Sequence, residues 1–335
     1  MGKSVNSAFK EFMKYEVNLN LELHTKPARK DRDNLRDRIR ALEDSVVGFP
    51  LLSSDHDIDF GSFARRTKKR PLDDVDMFFC LHADSCTYDS YGGTGAIIYI
   101  NNSSSRLNAF SNDDGTLNSI RVLNKLKRSV ENVYQYRGAD LNRRQEAVIL
   151  KLNNKEWSFD IVPCFVTTVV DGSNFYLIPD GSGNWKKTDP RVDQKRVTSA
   201  NQRNNGHLLS LIRLVKYWNN RATMPSMSSY LLENMIINCF ESSGVLTRYM
   251  DIHFSDALWY VRDNIFSYVA DPKGFYGNLN DLSDEDKVKI YVRAEIDALK
   301  ADEARRLEAH SPSGTHKECI KKWAEVFGPA FPSYE

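Results

Sequence analysis

Residues 60–81 read FGSFARRTKKRPLDDVDMFFCL, and this stretch decides the fold. It begins with a Gly-Ser pair, continues through a basic segment and ends in an apolar run that Asp74 and Asp76 open. On a strand, residues two apart point to the same face, so these two carboxylates are expected to project together. Adjacent carboxylates repel each other unless a cation compensates them. Mg²⁺, which takes one or two carboxylates plus substrate phosphates, suits such a pair.

Gly61 and Ser62 precede the two acids. A Gly-Ser pair fits a tight turn whose backbone N–H groups and hydroxyl can hold a phosphate, although most such pairs are simply turns. The basic segment 65–70 follows the turn, and the sequence leaves two interpretations of it open. It lines a triphosphate pocket, or it is a solvated loop.

A third carboxylate is expected from a hairpin further along the chain. Residues 147–152 are apolar, an Asn-Asn pair offers a turn, and residues 157–163, WSFDIVP, return as a second strand. Asp160 stands between two apolar residues of that strand, where an acid is costly unless it is paired or bound to a metal. Taken alone, an edge-strand Asp facing water is the simpler interpretation. Beside the Gly-Ser pair and the paired acids, Asp160 is predicted to be the third metal ligand.

Composition limits the classes of protein that fit. The chain has 335 residues, with 46 Lys+Arg against 45 Asp+Glu and a net charge of +1, which argues against a protein that coats long nucleic acid. The five cysteines are odd in number and scattered without a C-x-x-C pair, so neither a zinc site nor a disulfide framework is expected. The N-terminus lacks an apolar signal core, and no apolar run is long enough to span a bilayer. We therefore expect a cytoplasmic protein with no membrane partner.

Helical patterns flank the region of the acids. Residues 28–47 carry an apolar stripe at three- and four-residue steps and predict a long surface helix. Residues 176–190, with Gly, Pro and Asp punctuation, predict a loop. From about residue 200 the sequence reads as almost entirely helical. These changes suggest N-terminal helices over 1–50 that pack across both lobes, a core over 51–199 and a helical domain over 200–335.

Taken together, the chain resembles the bacterial cGAS/DncV-like nucleotidyltransferases, the oligonucleotide cyclases of anti-phage (CBASS) signalling within the polymerase-β-like superfamily. The resemblance covers most of the chain. It includes GSFARRTKKRPLDDVDMFF, WSFDIVPCF, the YLIP loop, the LIRLVKYWN helix with the SSYLLE that follows, and the closing KWAEVFGPAF. It implies an α+β fold, with a mixed-sheet nucleotidyltransferase core, a C-terminal helical domain and the active site in the cleft between the two lobes.

The resemblance also implies roles for individual residues. Three acids would bind two Mg²⁺ ions, with Mn²⁺ as an alternative, and Asp160 would help to activate the attacking hydroxyl. The other residues implied to contact the nucleotides are Gly61, Ser62, Lys216, Ser229 and Tyr230. For the last three, simpler interpretations stand beside the functional ones: a surface lysine, a helix cap and a core aromatic. Ser229 begins a predicted helix, and helix N-termini also bind phosphate.

Three functions remain open at this point. The first is an enzyme that joins nucleoside triphosphates, ATP or GTP above all, into a cyclic di- or trinucleotide that diffuses to a downstream effector. The second is a nucleotidyltransferase that makes linear products or extends RNA ends, and the third is a nucleotide-binding scaffold without activity. The sequence lacks the zinc-binding loop of the animal DNA sensors, so activation by long nucleic acid is not expected. A monomer is expected.

Overall fold

The computed structural model describes residues 2–221, 225, 227–242, 245–309 and 316–335. The helices are α1 Val5–Phe12, α2 Lys26–Arg40, α3 Leu42–Ser45, α4 Gly61–Ala64, α5 Ser119–Glu131, α6 Pro190–Arg203, α7 Leu208–Asn219, α8 Ser229–Ser242, α9 Met250–Asn264, α10 Asp284–Ala309 and α11 His316–Phe327. The strands are β1 Ile58–Phe60, β2 Asp74–Cys80, β3 Thr87–Tyr91, β4 Gly95–Tyr99, β5 Asp140–Arg144, β6 Ala147–Lys151, β7 Ser158–Val166, β8 Tyr176–Pro179 and β9 Trp185–Thr188.

The strands form one mixed sheet in the order β1-β2-β7-β8-β9-β4-β3, with β5 and β6 added beside β7. The central pair β2 and β7 is parallel, whereas β1–β2 and β6–β7 are antiparallel. A sheet that precedes a run of helices is the α+β arrangement that the sequence predicts.

Two of the apolar clusters hold the N-terminal helices, one against the sheet and the other among the C-terminal helices. In the first, Leu35 and Ile39 of α2 pack with Val75 and Met77 of β2, so the apolar stripe covers one face of the sheet. The single helix predicted over 28–47 is wrong in its extent, because α2 ends at Arg40 and α3 follows it. In the second, α1 packs with α7, α9, α10 and α11, and Phe9 lies edge-on to the ring of Trp323 at 4.8 Å between centroids. The N-terminal helices therefore separate, one into each core.

The prediction of a loop over 176–190 is wrong. Residues 176–179 and 185–188 form the hairpin β8–β9, and α6 already begins at Pro190. The Asp and Gly residues that suggested a loop make its turn: Asp180 Oδ1 accepts the backbone N–H groups of Ser182, Gly183 and Asn184 at 2.7–3.1 Å.

None of the helices in the described ranges is long and apolar enough to cross a membrane.

Candidate active site

Three carboxylates share one face of the central strands. Asp74 and Asp76 lie two apart on β2, and the parallel register places Asp76 directly opposite Asp160 of β7. Burial raises the pKa of Asp76 to about 8, and the charges of Asp74 and Asp160 act in the same direction. Burial and the charge of Asp74 likewise raise the pKa of Asp160 to about 6. The fold thus concentrates negative charge here, as the period of two predicts.

A lysine lies beside these carboxylates and forms ion pairs near them. The Lys68 ammonium donates to Asp74 Oδ1 at 2.6 Å and also forms an ion pair with Asp73. Although burial opposes protonation, the charges of Asp74 and Asp73 raise the pKa of this lysine. Within the described ranges, no three His, Cys, Asp or Glu side chains converge as a ready metal site.

The donor set nevertheless fits a hard divalent cation. It consists of carboxylate oxygens, which Mg²⁺ and Mn²⁺ prefer. Burial first, and then the charge of Asp74, raise the pKa of Asp76 and of Asp160, and the charge of Lys68 acts in the opposite direction, so a bound cation would favour the ionised carboxylates. Asp74, Asp76 and Asp160 are therefore the residues that would hold such an ion.

Gly61 is required by its contact with Asp76. It opens α4 with φ +72°, a backbone conformation that favours glycine. A Cβ at this position would lie 1.8 Å from Asp76 Oδ2, closer than any real contact. The Asp76 carboxylate consequently lies directly against the glycine backbone. The predicted Gly-Ser turn is thus the first turn of a short helix that abuts the acids.

The predicted phosphate contacts meet at a small cavity of about 80 Å³. Ser62, Lys216 and Ser229 line it, together with Lys68 and Lys69. Three lysines thus line one small cavity, and two of them, Lys68 and Lys216, also form ion pairs with carboxylates. A phosphate contact by any of these residues stays a prediction.

Lys216 is not a surface residue. Its side chain is 4% exposed, and Nζ donates to Glu233 Oε2 at 2.6 Å. Burial lowers the pKa of Lys216, against the opposing charge of Glu233. The interpretation as a surface lysine is therefore wrong.

Ser229 does not cap α8 with its side chain. The residue before it, Ser228, does so: its Oγ accepts the N–H of Tyr230 at 3.3 Å, and its carbonyl accepts the N–H of Leu232. Ser229 is exposed at the mouth of the cavity. The cap interpretation thus applies to Ser228, whereas Ser229 lines the cavity.

Tyr230 belongs to a polar network. Its hydroxyl donates to Asp193 Oδ1 at 2.6 Å and accepts from Lys273 Nζ at 2.6 Å. Lys273 also lies 4.2 Å and Arg65 5.8 Å from the ring centroid. Burial raises the pKa of the phenol, and the charge of Asp193 adds to this effect. Stacking of Tyr230 on a base stays a prediction.

The structure identifies site residues that the sequence reasoning missed. Arg65, Thr67 and Lys68 belong to the basic segment 65–70 but point into the protein, so the solvated-loop interpretation is wrong for these three residues, whereas Arg66 is exposed. Their partner Glu233 is a buried acid within the apolar helix α8. A lone acid in an apolar helix, SYLLENMII, is the signal that could have identified it.

Known proteins share both the sequence and the fold of this chain. The profile of the second messenger oligonucleotide or dinucleotide synthetase domain matches residues 107–201. A probable cyclic nucleotide synthase of Bacillus cereus strain VD146 is 41% identical over 337 residues, which is 100% of each chain.

Solved structures share the fold at low sequence identity. CdnC of E. coli MS115-1 with ATP superposes with a TM-score of 0.68 at 16% identity, over 98% of this chain and 99% of that one. DncV of Vibrio cholerae in its apo form gives a TM-score of 0.68 at 14% identity, over 99% and 97%. These likenesses confirm the predicted α+β fold, a mixed sheet with C-terminal helices.

Proposed function

This chain belongs to the bacterial cGAS/DncV-like nucleotidyltransferases, a family of cyclic nucleotide synthases. We propose that the three acids of its candidate active site catalyse this synthesis. Asp74, Asp76 and Asp160 catalyse the condensation of nucleoside triphosphates into a cyclic di- or trinucleotide, with release of pyrophosphate. The observation that supports this is the parallel register of β2 and β7, which sets Asp76 opposite Asp160.

The reaction at each step is an in-line displacement at the α-phosphate. A ribose hydroxyl oxygen forms a bond to phosphorus, the bond from phosphorus to the pyrophosphate oxygen breaks, and pyrophosphate leaves. Asp160, which the parallel register places opposite Asp76, accepts the hydroxyl proton. When bound to the three acids, two Mg²⁺ ions would stabilise the entering and leaving oxygens.

Further groups position the triphosphate. The cavity lined by Ser62, Lys216 and Ser229 contacts its phosphates, and the lysines there, two of which also pair with carboxylates, neutralise part of the phosphate charge. Gly61 permits the close approach of Asp76 to this segment. The protein thus contributes mainly orientation and charge, as phosphoryl transfer requires.

The comparisons suggest the partners to test first. One solved CdnC structure contains ATP and another is a complex with HORMA-deltaN. We therefore propose ATP, alone or with GTP, as substrate, and a HORMA-like protein as a candidate regulator. The enzyme acts as a cytoplasmic monomer in anti-phage defence, and its product reaches the downstream effector by diffusion.

The stoichiometry of pyrophosphate tests this proposal. Ring closure releases one pyrophosphate for every nucleotide incorporated, whereas a linear oligonucleotide keeps one triphosphate at its 5′ end. The protein is incubated with Mg²⁺ and either ATP and GTP or all four nucleotides, and pyrophosphate and consumed nucleotide are measured together. A ratio of one supports cyclisation. A ratio clearly below one, with phosphatase-sensitive products, favours the linear alternative.

A further inference from the structure

A single buried carboxylate joins the two lobes next to the proposed site. Glu233 lies on α8, in the helical lobe, and its side chain is 1% exposed. Oε1 accepts from Arg65 Nε at 2.7 Å, whereas Oε2 accepts from Lys216 Nζ at 2.6 Å and from the Thr67 hydroxyl at 2.7 Å. Two cations and one hydroxyl thus share this carboxylate.

The partners of Glu233 come from different parts of the fold. Lys216 lies on α7 of the helical lobe, whereas Arg65 and Thr67 follow α4 in the core lobe, 168 and 166 positions before Glu233 in sequence. Burial opposes ionisation of Glu233, but the charges of Lys216 and Arg65 outweigh it and lower the pKa to about 2. The carboxylate is therefore ionised, and it connects the lobes by charge-assisted hydrogen bonds.

Hydrogen bonds link Thr67, a partner of Glu233, to the residues proposed to bind substrate. The backbone N–H groups of Thr67 and Lys68 donate to the Ser62 carbonyl at 2.9 and 3.1 Å. The next side chain, Lys68, reaches Asp74. A displacement of Thr67 would therefore move Ser62 and Lys68 together.

We infer that Glu233 is a positioning residue, which holds the segment from Gly61 to Lys68 in register with Lys216 across the cleft. This role rests on the proposed function, because it concerns the same phosphoryl transfer. Glu233 does not touch the proposed acids. It acts through Thr67 and Arg65, and a misplacement of about 1 Å in such a segment lowers a rate about 100-fold.

Two variants separate positioning from simple stability. Thr67→Val removes the hydroxyl that links Glu233 to the segment but leaves both ion pairs, so this variant is expected to fold. Glu233→Gln removes the charge and keeps the shape. The matched control is Asp297→Asn, since Asp297 is also a fully buried acid, which accepts from Trp218 and Arg293 within the helical lobe.

The experiment combines turnover with amide hydrogen exchange of residues 61–68. We expect both Thr67→Val and Glu233→Gln to lower kcat at least tenfold per folded molecule and to speed exchange at Thr67 and Lys68. Asp297→Asn should lower Tm while kcat, KM and exchange in 61–68 stay at the parent values. If the first two variants only lower Tm, with kcat within threefold and exchange unchanged, Glu233 is merely structural and the inference is wrong.

Failure of the proposed function would give a different experimental result from failure of the positioning role. A parent protein that makes no product counts against the proposed reaction, whereas the exchange experiment still decides whether Glu233 orders the segment. Binding of an α,β-methylene analogue of ATP gives a second independent readout. Both Thr67→Val and Glu233→Gln should weaken it at least threefold, and unchanged affinity in both would contradict the positioning role.

Discussion

Replacement of Gly61 by alanine should disable the site through one contact. The new Cβ would lie 1.8 Å from Asp76 Oδ2 and 2.5 Å from its Cγ. Ordinary carbon contacts lie at about 3.5 Å, so the carboxylate or the backbone of α4 must move by about 1.5 Å. Because a shift of about 1 Å in a catalytic group lowers rates about 100-fold, kcat should fall by at least that factor.

A second effect of Gly61→Ala is conformational and needs its own control. Alanine at φ +72° is destabilised by about 1 kcal/mol, whatever its neighbours. Gly138 has φ +83° and nothing within 4 Å of its ideal Cβ, so Gly138→Ala isolates this strain. It should lower Tm by about 2 °C and leave turnover unchanged.

The assay compares pyrophosphate release by both variants at saturating nucleotide, normalised to the folded fraction from circular dichroism. The predicted effect of the contact with Asp76 is refuted if Gly61→Ala retains kcat within threefold of the parent. It is equally refuted if Gly138→Ala loses as much activity, because the loss would then arise from strain rather than from the contact with Asp76.

Three further predictions follow from the same geometry. Asp76→Asn should abolish pyrophosphate release yet raise Tm without metal, because burial and the charges of its neighbours disfavour the ionised carboxylate; a lower Tm in thermal melts with EDTA would contradict this. Ser228→Ala should lower stability by about 1 kcal/mol through loss of the cap, whereas Ser229→Ala should leave stability unchanged and raise KM for nucleotide severalfold. Urea titrations measure the stability of both variants, and initial rates measure their KM. Equal destabilisation by both would be inconsistent with the cap assignment. The ionised carboxylate of Glu233, with its pKa lowered to about 2 from 4.5, stabilises the fold fully above pH 4.5, and this contribution is lost as pH falls toward 2. The difference in unfolding free energy between parent and Glu233→Gln should therefore be constant above pH 4.5 and shrink below it, and a difference independent of pH down to 2.5 would argue against the ionised state.

Local sequence patterns were sufficient to predict the residues whose arrangement follows the alternation of side chains along a strand. Asp74 and Asp76 are two apart on a strand, so their common face follows from backbone geometry alone. The hairpin pattern around residues 147–163 placed Asp160 on β7, and the family resemblance supplied the pairing that no periodicity encodes. The comparisons then confirmed the fold and the cyclic nucleotide synthase family.

The composition of residues 176–190 led to a wrong loop prediction, because the turn in this segment joins two short strands. Residues 176–190 contain Pro, Asp and several Gly, and these suggested a loop. The strands β8 and β9 are four residues each, and Asp180 folds the intervening turn by accepting three backbone N–H groups. Pairing of β8 with β7 and of β9 with β4, which precedes β9 by more than 80 residues, decides this structure.

The contacts that complete the site do not follow from periodic sequence patterns. Lys68 and Asp74 are only six positions apart, but no helix or strand spans the segment between them, so no periodicity predicts their contact. Glu233 and Thr67 are 166 positions apart and meet only when the two lobes pack. Sequence patterns at short range contain no information on such a pair.

Mass spectrometry of the product tests the central claim most directly. The protein is incubated with Mg²⁺ and either ATP and GTP or all four nucleotides, the mixture is treated with phosphatase, and the surviving product is compared with that of Asp76→Asn. We predict a phosphatase-resistant species whose mass is that of two or three nucleoside monophosphates minus one water for each linkage, formed by the parent and absent from the variant. Products that phosphatase converts entirely to linear oligonucleotides and nucleosides, or a cyclic product that persists in Asp76→Asn, would contradict the account.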